Sequence, residues 1–284
     1  MKREHITLTG AEGVPLTAEA AGDHTAQPAL LLHGGGQTRG SWRDTIEVLA
    51  ELGFRAIAPD ARGHGDSGRS PDGQYSPDIF ARDLHAIIEQ TGRAPVLIGA
   101  SLGGIAALLA AGEGGSDVAS ALVLVDVAVT TNPYGVQEVH NFMQANSDGF
   151  ASVDEAAEAV ASYATDRPRP RSNDGLKRNL RLRDGRWYWH WDPAFLTTFH
   201  PAHRASRDRL VQAARALKVP VLLVHAANSN VVTETEVTEL RELIPHLEYV
   251  RVEGAGHMVV GDRNGVFNTA ILDFLSRHDL PRRA

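Results

Sequence analysis

The sequence predicts an α/β fold in which a mostly parallel central sheet is flanked by helices and carries an inserted helical cap. Short apolar segments alternate with segments of helical periodicity in the first and last parts of the chain, which is typical of parallel strands joined by helices. Between residues 126 and 221 this alternation stops. Because open sheets of this kind bind ligands at the carboxyl ends of their strands, we expect the interrupting segment to cover that end.

Local patterns of apolar and polar residues predict the individual strands and helices. Residues 6–8 and 14–20 alternate apolar and polar side chains, which predicts an antiparallel hairpin at the start of the sheet. Runs rich in apolar residues predict further strands at 29–32, 54–58, 95–98, 121–125, 221–224 and 247–252. Helical patterns predict helices at 41–52, 77–90, 105–111, 134–146, 153–163, 234–244 and 264–276. We therefore place the core in residues 1–128 and 206–284 and the cap in residues 129–205.

Composition limits the classes of function. The 284 residues carry a formal charge of −7, which argues against a surface for nucleic acid or an anionic membrane. The absence of cysteine excludes disulfides, thiolate metal sites and a cysteine nucleophile. The first eight residues lack the apolar stretch expected of a secretory signal, and no apolar run reaches the ~18 residues expected of a membrane span. We expect a cytoplasmic monomer or homodimer that acts on a small molecule and binds neither nucleic acid nor membrane.

The pentapeptide Gly-Ala-Ser-Leu-Gly at 99–103 lies between a predicted strand and a predicted helix. In that setting the pattern Gly-x-Ser-x-Gly forms a nucleophile elbow, a turn too sharp to accept Cβ atoms on its flanks. The turn lifts the serine hydroxyl above the edge of the sheet. Ser101 is therefore the predicted catalytic nucleophile.

An elbow serine needs a base and an oxyanion hole. Among thirteen histidines, His257 stands apart because it follows the last predicted strand on a glycine-rich loop, and we predict it to be the general base. The backbone N–H of Leu102, at the start of a helix, is one expected oxyanion donor. The second is expected from the glycine-rich loop after the strand 29–32, with Gly35 favoured and Gly36 next.

Five motifs of this chain occur in the order seen in the α/β-hydrolase superfamily, which the chain resembles over nearly its whole length outside the cap. They are His33-Gly34-Gly35-Gly36, Asp60-x-Arg62-Gly63-His64-Gly65-x-Ser67, Gly99-x-Ser101-x-Gly103-Gly104, Leu124-Val125-Asp126-Val127-Ala128 and Gly254-x-Gly256-His257. The resemblance implies the α/β-hydrolase fold and is strongest to capped esterase and lactonase-like members. In that family, His33 and the 60–67 loop serve mainly as architecture, so we do not count them as catalytic.

The chain departs from the family pattern at the third member of the catalytic triad, the acid that orients the histidine. The resemblance puts an acid in the loop after the strand 221–224, and Asn230 stands in its place. In a serine protease an Asp→Asn change at the triad acid lowers kcat by about 10⁴. Three alternatives remain open. Asp126 supplies the carboxylate from the end of the preceding strand, as in some superfamily members; Asn230 orients His257 by hydrogen bonding alone; or the chain has lost hydrolysis and kept the pocket.

The predicted cap contains an aromatic segment that we expect to contact the substrate. With a period of two, Trp187, Trp189 and Trp191 share one face and His190 lies on the other. Phe142 and Met143, on a predicted cap helix, are candidates for the same wall. The alternative for these side chains is packing of the cap against the core.

These observations predict a serine hydrolase that cleaves a small ester or lactone through an acyl-enzyme and needs neither a metal nor an organic cofactor. A serine at the elbow argues against dehalogenase and epoxide-hydrolase chemistry, which in this fold needs a carboxylate nucleophile. Two alternatives stay open. One is different chemistry on the same site, namely carbon–carbon hydrolysis, perhydrolysis or a lyase reaction. The other is a ligand-binding protein with a vestigial triad.

Overall fold

Eight strands form one sheet at the centre of the structure, a computed structural model that describes residues 2–163, 173, 175–198, 207–257 and 264–281. The strands of this sheet are β1 (Glu4–Thr9), β2 (Pro15–Ala21), β3 (Pro28–Leu32), β4 (Arg55–Pro59), β5 (Val96–Ala100), β6 (Ala121–Val125), β9 (Val221–Ala226) and β10 (Glu248–Val252). Their order across the sheet is β1-β2-β4-β3-β5-β6-β9-β10. A separate two-stranded sheet consists of β7 (Leu180–Arg183) and β8 (Arg186–Trp189).

The large sheet is antiparallel at one edge and parallel elsewhere. Strand β2 pairs in antiparallel fashion with β1 and β4, so the predicted hairpin at the start of the sheet is confirmed. All further pairs, from β4–β3 to β9–β10, are parallel. Every residue of β3, β5 and β6 is buried, which explains why these strands read as continuous apolar runs. The carboxyl ends of the parallel strands therefore meet at one edge of the sheet.

Every predicted helix is present, with ends that differ from the prediction by at most three residues. The helices are α1 (Arg43–Glu51), α2 (Pro77–Thr91), α3 (Leu102–Gly114), α4 (Pro133–Gln144), α5 (Val153–Tyr163), α6 (Pro193–Thr198), α7 (Arg207–Ala216), α8 (Glu234–Leu243) and α9 (Asn264–Arg277). Helices α6 and α7 were not predicted from the sequence. In the part of the chain that the structure describes, no helix is long and apolar enough to cross a membrane.

The sheet divides the hydrophobic core into two layers because successive strand residues point to opposite faces. In β5, Leu97 packs in the layer covered by α2, α3, α7 and α8. Its neighbour Ile98 packs in the layer covered by α1 and α9. This arrangement confirms the predicted α/β class with helices on both faces.

The interval predicted as the cap, residues 129–205, contains α4, α5 and α6 together with the β7–β8 hairpin. It is therefore not wholly helical, and the alternation of aromatic residues at 187–191 reflects strand β8 and its continuation. Phe150, after α4, pairs through its backbone with Trp187 and joins the hairpin to the helical part. The expected boundary between cap and core at residue 206 lies outside the described residues.

Candidate active site

Ser101 occupies the turn between β5 and α3 in a strained backbone conformation. Its φ of 45° and ψ of −114° lie where an L-residue is rarely found, and such strain is typical of functional turns. The turn brings β5 and α3 too close together for side chains. A Cβ on Gly99 would lie 2.6 Å from the Gly103 carbonyl oxygen, and a Cβ on Gly103 would lie 2.4 Å from that of Leu32. The pentapeptide therefore has the geometry of a nucleophile elbow.

His257 and Asp126 meet at the same edge of the sheet. Nδ1 of His257 lies 2.6 Å from Oδ2 of Asp126, and only 9% of the histidine side chain and 1% of the aspartate side chain are exposed. Because an ionised carboxylate only accepts hydrogen bonds, Nδ1 is the nitrogen that carries the hydrogen. This tautomer leaves Nε2 as an acceptor, which is what a general base for a serine hydroxyl requires.

The Asp126 carboxylate is held by two further donors. Asp126 directly follows β6, has a φ of 51° and receives the backbone N–H of Ala226 on Oδ1 at 3.1 Å. The hydroxyl of Ser229 donates to Oδ2 at 2.6 Å. Strand β9, which ends at Ala226, lies next to β6 in the sheet, so the loop after β9 packs against this carboxylate. The carboxylate is thereby fixed in one orientation toward His257.

Asn230 does not reach His257, and the adjacent Ser229 occupies the position beside the acid. The Asn230 side chain is exposed, and its amide donates to the carboxylate of Glu138 on α4. Ser229 also accepts the N–H groups of Val231 and Val232 at 3.2 and 3.1 Å, which turns the loop so that residue 229 faces inward. Ser229 was not among the residues predicted from the sequence. The signal that could have found it is a hydroxyl one residue before the expected acid position.

The N–H of Gly35 points away from the two groups that bond to the Gly34 carbonyl, and the loop that carries it lies against Ser101. The Gly34 carbonyl accepts hydrogen bonds from Nδ1 of His33 at 2.8 Å and from the N–H of Gln37 at 3.1 Å. Since the peptide between Gly34 and Gly35 is planar and trans, the Gly35 N–H points away from those two donors. A Cβ on Gly34 would lie 3.2 Å from the Cβ of Ser101, so this loop lies against the elbow.

Gly36 is not a free donor, contrary to the expectation that it could serve as the second-choice oxyanion group. Its N–H donates to Nε2 of His64 at 3.1 Å, and its carbonyl accepts from Nε2 of His190 at 3.2 Å. Among the described residues, the N–H groups of Gly35 and Leu102 have no protein acceptor. These two groups are therefore the available donors for an oxyanion.

Three buried histidines support this loop. Burial lowers the pKa of His33 to about 4 and that of His64 to about 3, and it holds the pKa of His190 well below the ordinary value of 6.5. The rings are neighbours, with centroids 5.3 Å apart for His33 and His64 and 5.8 Å apart for His64 and His190. Within the described chain, no three His, Cys, Asp or Glu side chains are placed to share a metal ion. The three rings thus act as neutral hydrogen-bonding groups.

Three side chains from the interval predicted as the cap pack against the loop of Gly34–Gly36. Cε of Met143 lies 3.0 Å, and a ring carbon of Trp191 lies 3.4 Å, from the position that a Cβ on Gly36 would occupy. The ring of Phe195, on α6, lies 3.5 Å from the equivalent position on Gly35. All three side chains are buried and apolar. Phe195 was not among the predicted substrate contacts, because its short helix was not recognised.

Phe142, Trp187 and Trp189 pack against other side chains of the interval predicted as the cap. Trp189 stacks on Trp191 with ring centroids 5.0 Å apart, so these two side chains share a face as the period of two predicts. Phe142 stacks on Tyr163 at 4.3 Å, and Trp187 is half-buried beside Phe150. The His190 ring packs edge-on against Trp191, and its two nitrogens bond to core loops at Gly36 and Gly65. Of the six predicted substrate contacts, Met143, His190 and Trp191 contact the loop of Gly34–Gly36.

Comparison with known proteins agrees with this architecture. Residues 28–263 match the family model described as the alpha/beta hydrolase fold. The chain is 31% identical over 252 residues to the esterase Rv0045c of Mycobacterium tuberculosis, with 84% of this chain and 79% of that protein covered. It is 29% identical over 269 residues to the mouse sn-1-specific diacylglycerol lipase ABHD11, with coverages of 90% and 83%. The crystal structure of E-2-(acetamidomethylene)succinate hydrolase superposes with a TM-score of 0.82 at 22% identity, covering 96% of this chain and all of that one. The chain therefore belongs to the alpha/beta-hydrolase family, and its relatives support a general hydrolase activity.

Proposed function

We propose that this protein is a serine hydrolase that cleaves a small carboxylic ester or lactone through an acyl-enzyme. The observation that carries the proposal is the 2.6 Å contact between His257 Nδ1 and the buried Asp126 carboxylate, in a chain whose elbow serine lies at the same sheet edge. This contact gives the histidine the tautomer that a general base needs. It also favours Asp126 over Asn230 as the third member of the triad.

In the first half of the reaction, the Ser101 hydroxyl attacks the substrate carbonyl while Nε2 of His257 takes its proton. The carbonyl oxygen becomes an oxyanion that accepts hydrogen bonds from the Gly35 and Leu102 N–H groups. Asp126 stabilises the imidazolium that forms. Collapse of the tetrahedral intermediate breaks the bond to the leaving oxygen, which takes the proton from His257 and departs as an alcohol.

In the second half, a water molecule attacks the acyl-enzyme and gives one proton to His257. The same two N–H groups stabilise the second oxyanion, and the proton then returns to Ser101 as the carboxylic acid leaves. The net reaction is therefore hydrolysis of one ester bond by one water molecule. For a lactone, acid and alcohol remain parts of a single product.

The apolar side chains around the loop of Gly34–Gly36 favour a small, uncharged acyl group in the adjoining substrate site. Met143, Trp191 and Phe195 are apolar and lie within 3.0 to 3.5 Å of the Cβ positions of Gly35 and Gly36. A charged acyl group would lose its hydration beside these side chains without gaining a partner. The names of two relatives, an esterase and a diacylglycerol lipase, also favour ester substrates.

The test compares the wild type with Ser101→Ala on p-nitrophenyl acetate and p-nitrophenyl butyrate, together with labelling by a fluorophosphonate. We expect turnover and labelling in the wild type and the loss of both in Ser101→Ala. Ser162→Ala, which changes an exposed serine on α5, is the matched control and should keep both signals. Unchanged turnover in Ser101→Ala, or a wild type that is neither labelled nor active, would overturn the proposal.

A further inference from the structure

We propose that His190, a residue of the cap, is a positioning residue for the oxyanion hole, an inference that rests on the proposed function. The side chain holds Gly36 in the orientation that directs the Gly35 N–H toward Ser101. The cap would then be part of the catalytic apparatus as well as a cover for the substrate.

Both ring nitrogens of His190 bond to loops of the core. Nδ1 lies 2.8 Å from the backbone nitrogen of Gly65, which can only donate, so Nδ1 accepts and the ring hydrogen is on Nε2. Nε2 therefore donates to the Gly36 carbonyl at 3.2 Å. The side chain is 5% exposed and its ring packs edge-on against Trp191. Hydrogen bonding and packing together leave the ring one position.

Both polar backbone groups of Gly36 form hydrogen bonds with histidine rings, and the two histidines come from different parts of the fold. His64, on the core loop after β4, accepts its N–H, and His190 donates to its carbonyl. With a φ of 75°, Gly36 has a conformation open mainly to glycine, so without these two bonds it has many alternatives. A change in the backbone dihedral angles of Gly36 would also shift the peptide groups before it, and one of these carries the Gly35 N–H.

The rest of the cap hairpin is attached to the core independently of His190. The N–H of Asp192 donates to the Gly63 carbonyl at 2.7 Å, and the hydroxyl of Tyr75 donates to the Asp192 carboxylate at 2.8 Å. Arg181, on β7, donates to the Gly65 carbonyl at 2.8 Å. These three contacts should keep the cap in place when His190 is replaced. A substitution at position 190 therefore tests the hydrogen bond to the Gly36 carbonyl and not the attachment of the cap.

Two amide substitutions distinguish the effects of the two hydrogen bonds of His190, one to Gly36 and one to Gly65. The amide of His190→Gln can reach the Nε2 position and donate to Gly36, whereas the shorter side chain of His190→Asn can reach only the Nδ1 position and accept from Gly65. We expect kcat on p-nitrophenyl acetate to fall about tenfold or more in His190→Asn, with KM little changed, because the oxyanion bond is made in the transition state. His190→Gln should restore most of that loss.

A second measurement reports on the oxyanion hole directly. A trifluoromethyl ketone binds the serine as a hemiketal whose oxyanion occupies the hole, so its affinity should fall in His190→Asn by about the same factor as kcat/KM. Thermal unfolding checks that each variant is folded. If His190→Asn does not fold, His190→Phe, which keeps the ring and lacks its nitrogens, takes its place in the comparison with His190→Gln.

The outcomes separate this inference from the proposed function. An active wild type together with an Asn variant that keeps both kcat and ketone affinity would overturn the positioning role alone. A Gln variant that loses as much as the Asn variant would also overturn it, because the bond to Gly65 or the ring itself would then be what matters. A wild type that neither turns over the ester nor binds the ketone would overturn the proposed function and this inference with it.

Discussion

At the scale of single residues, the geometry of the site depends on the hydrogen bonds that orient the Asp126 carboxylate. The carboxylate receives three hydrogen bonds, from His257, Ser229 and the Ala226 backbone. Two of these donors belong to the strand and loop that usually carry the acid in this family. The loop after β9 thus contributes hydrogen-bond donors to the site, while Asp126, directly after β6, contributes the negative charge. This arrangement explains how an asparagine at position 230 is compatible with an intact histidine–carboxylate pair.

The replacement Asp126→Asn should lower kcat on p-nitrophenyl butyrate by about 10⁴, the effect of the same change in a serine protease. The amide can donate to Nδ1, which would place the ring hydrogen on Nε2 and remove the acceptor for the serine proton. Asn230→Ala is the matched control and should stay close to the wild-type rate, because its side chain contacts Glu138 at the surface. A large loss in the control with little loss in Asp126→Asn would contradict the assignment.

Ser229→Ala should lower kcat, because the Asp126 carboxylate loses one of the three donors that orient it toward His257. The loop would also lose the acceptor for the N–H groups of Val231 and Val232, so the free energy of unfolding should fall as well. Steady-state kinetics and urea unfolding measure the two effects. Ser229→Thr keeps the hydroxyl and should recover most of the rate; equal losses in both variants would argue against a role for the hydroxyl.

At the scale of elements, the elbow depends on the close packing of α3 against the strands. Nine of the thirteen residues of α3 are buried, so the helix is fixed on nearly all sides. Its start touches β3 at Leu32 and β5 at Gly99 through contacts that leave no room for a Cβ. The position of the Leu102 N–H therefore depends on the packing of the whole helix.

Gly103→Ala should reduce both stability and activity. Its Cβ would meet the Leu32 carbonyl at 2.4 Å, and such overpacking costs about 1–3 kcal/mol. The shift of α3 that relieves the contact would also move the Leu102 N–H, so kcat should fall with it.

The matched control for Gly103→Ala is Gly265→Ala on α9, where an added Cβ meets nothing within 4 Å. It should leave kcat unchanged and should not lower the free energy of unfolding, because the added Cβ meets no neighbour. Urea unfolding and turnover of p-nitrophenyl acetate measure both variants. A Gly103→Ala protein as stable and active as the control would contradict the tight elbow.

At the scale of the whole molecule, the buried histidines couple stability to pH. His33 and His64 are fully buried, and burial lowers the pKa of His33 from 6.5 to about 4 and that of His64 from 6.5 to about 3. Above pH 6.5 both residues are neutral in the folded and the unfolded chain. Below it, the unfolded chain binds protons that the folded chain excludes, so stability is lost as the pH falls.

We therefore expect the free energy of unfolding to decrease between pH 6.5 and pH 4, by about 1.4 kcal/mol per pH unit for each of these histidines. Urea unfolding at several pH values measures the slope for the whole chain. His64→Gln removes one of the three buried histidines, so the slope of its free energy of unfolding against pH should be smaller than that of the wild type by about 1.4 kcal/mol per pH unit. An identical slope in the two proteins would show that His64 does not carry this pH dependence.

Much of the fold could be predicted from the sequence because its signals are local. Apolar runs such as the one in β6 and helical periodicity such as that of α2 depend on neighbouring residues only. The elbow is equally local, since three glycines around Ser101 meet the steric demand of one turn. By contrast, α6 and α7 were missed, because the first has only six residues and the second is strongly polar.

The sequence by itself determined the α/β architecture, the elbow and the histidine expected to serve it. Only the tertiary structure decided that Asp126 faces His257, that Ser229 rather than Asn230 supports it, and that Gly36 is held by His190. These contacts join residues 131, 103 and 154 positions apart in the chain. Which of several adjacent side chains in a loop points inward depends on how that loop packs against distant strands and on the cap. No local pattern records that packing.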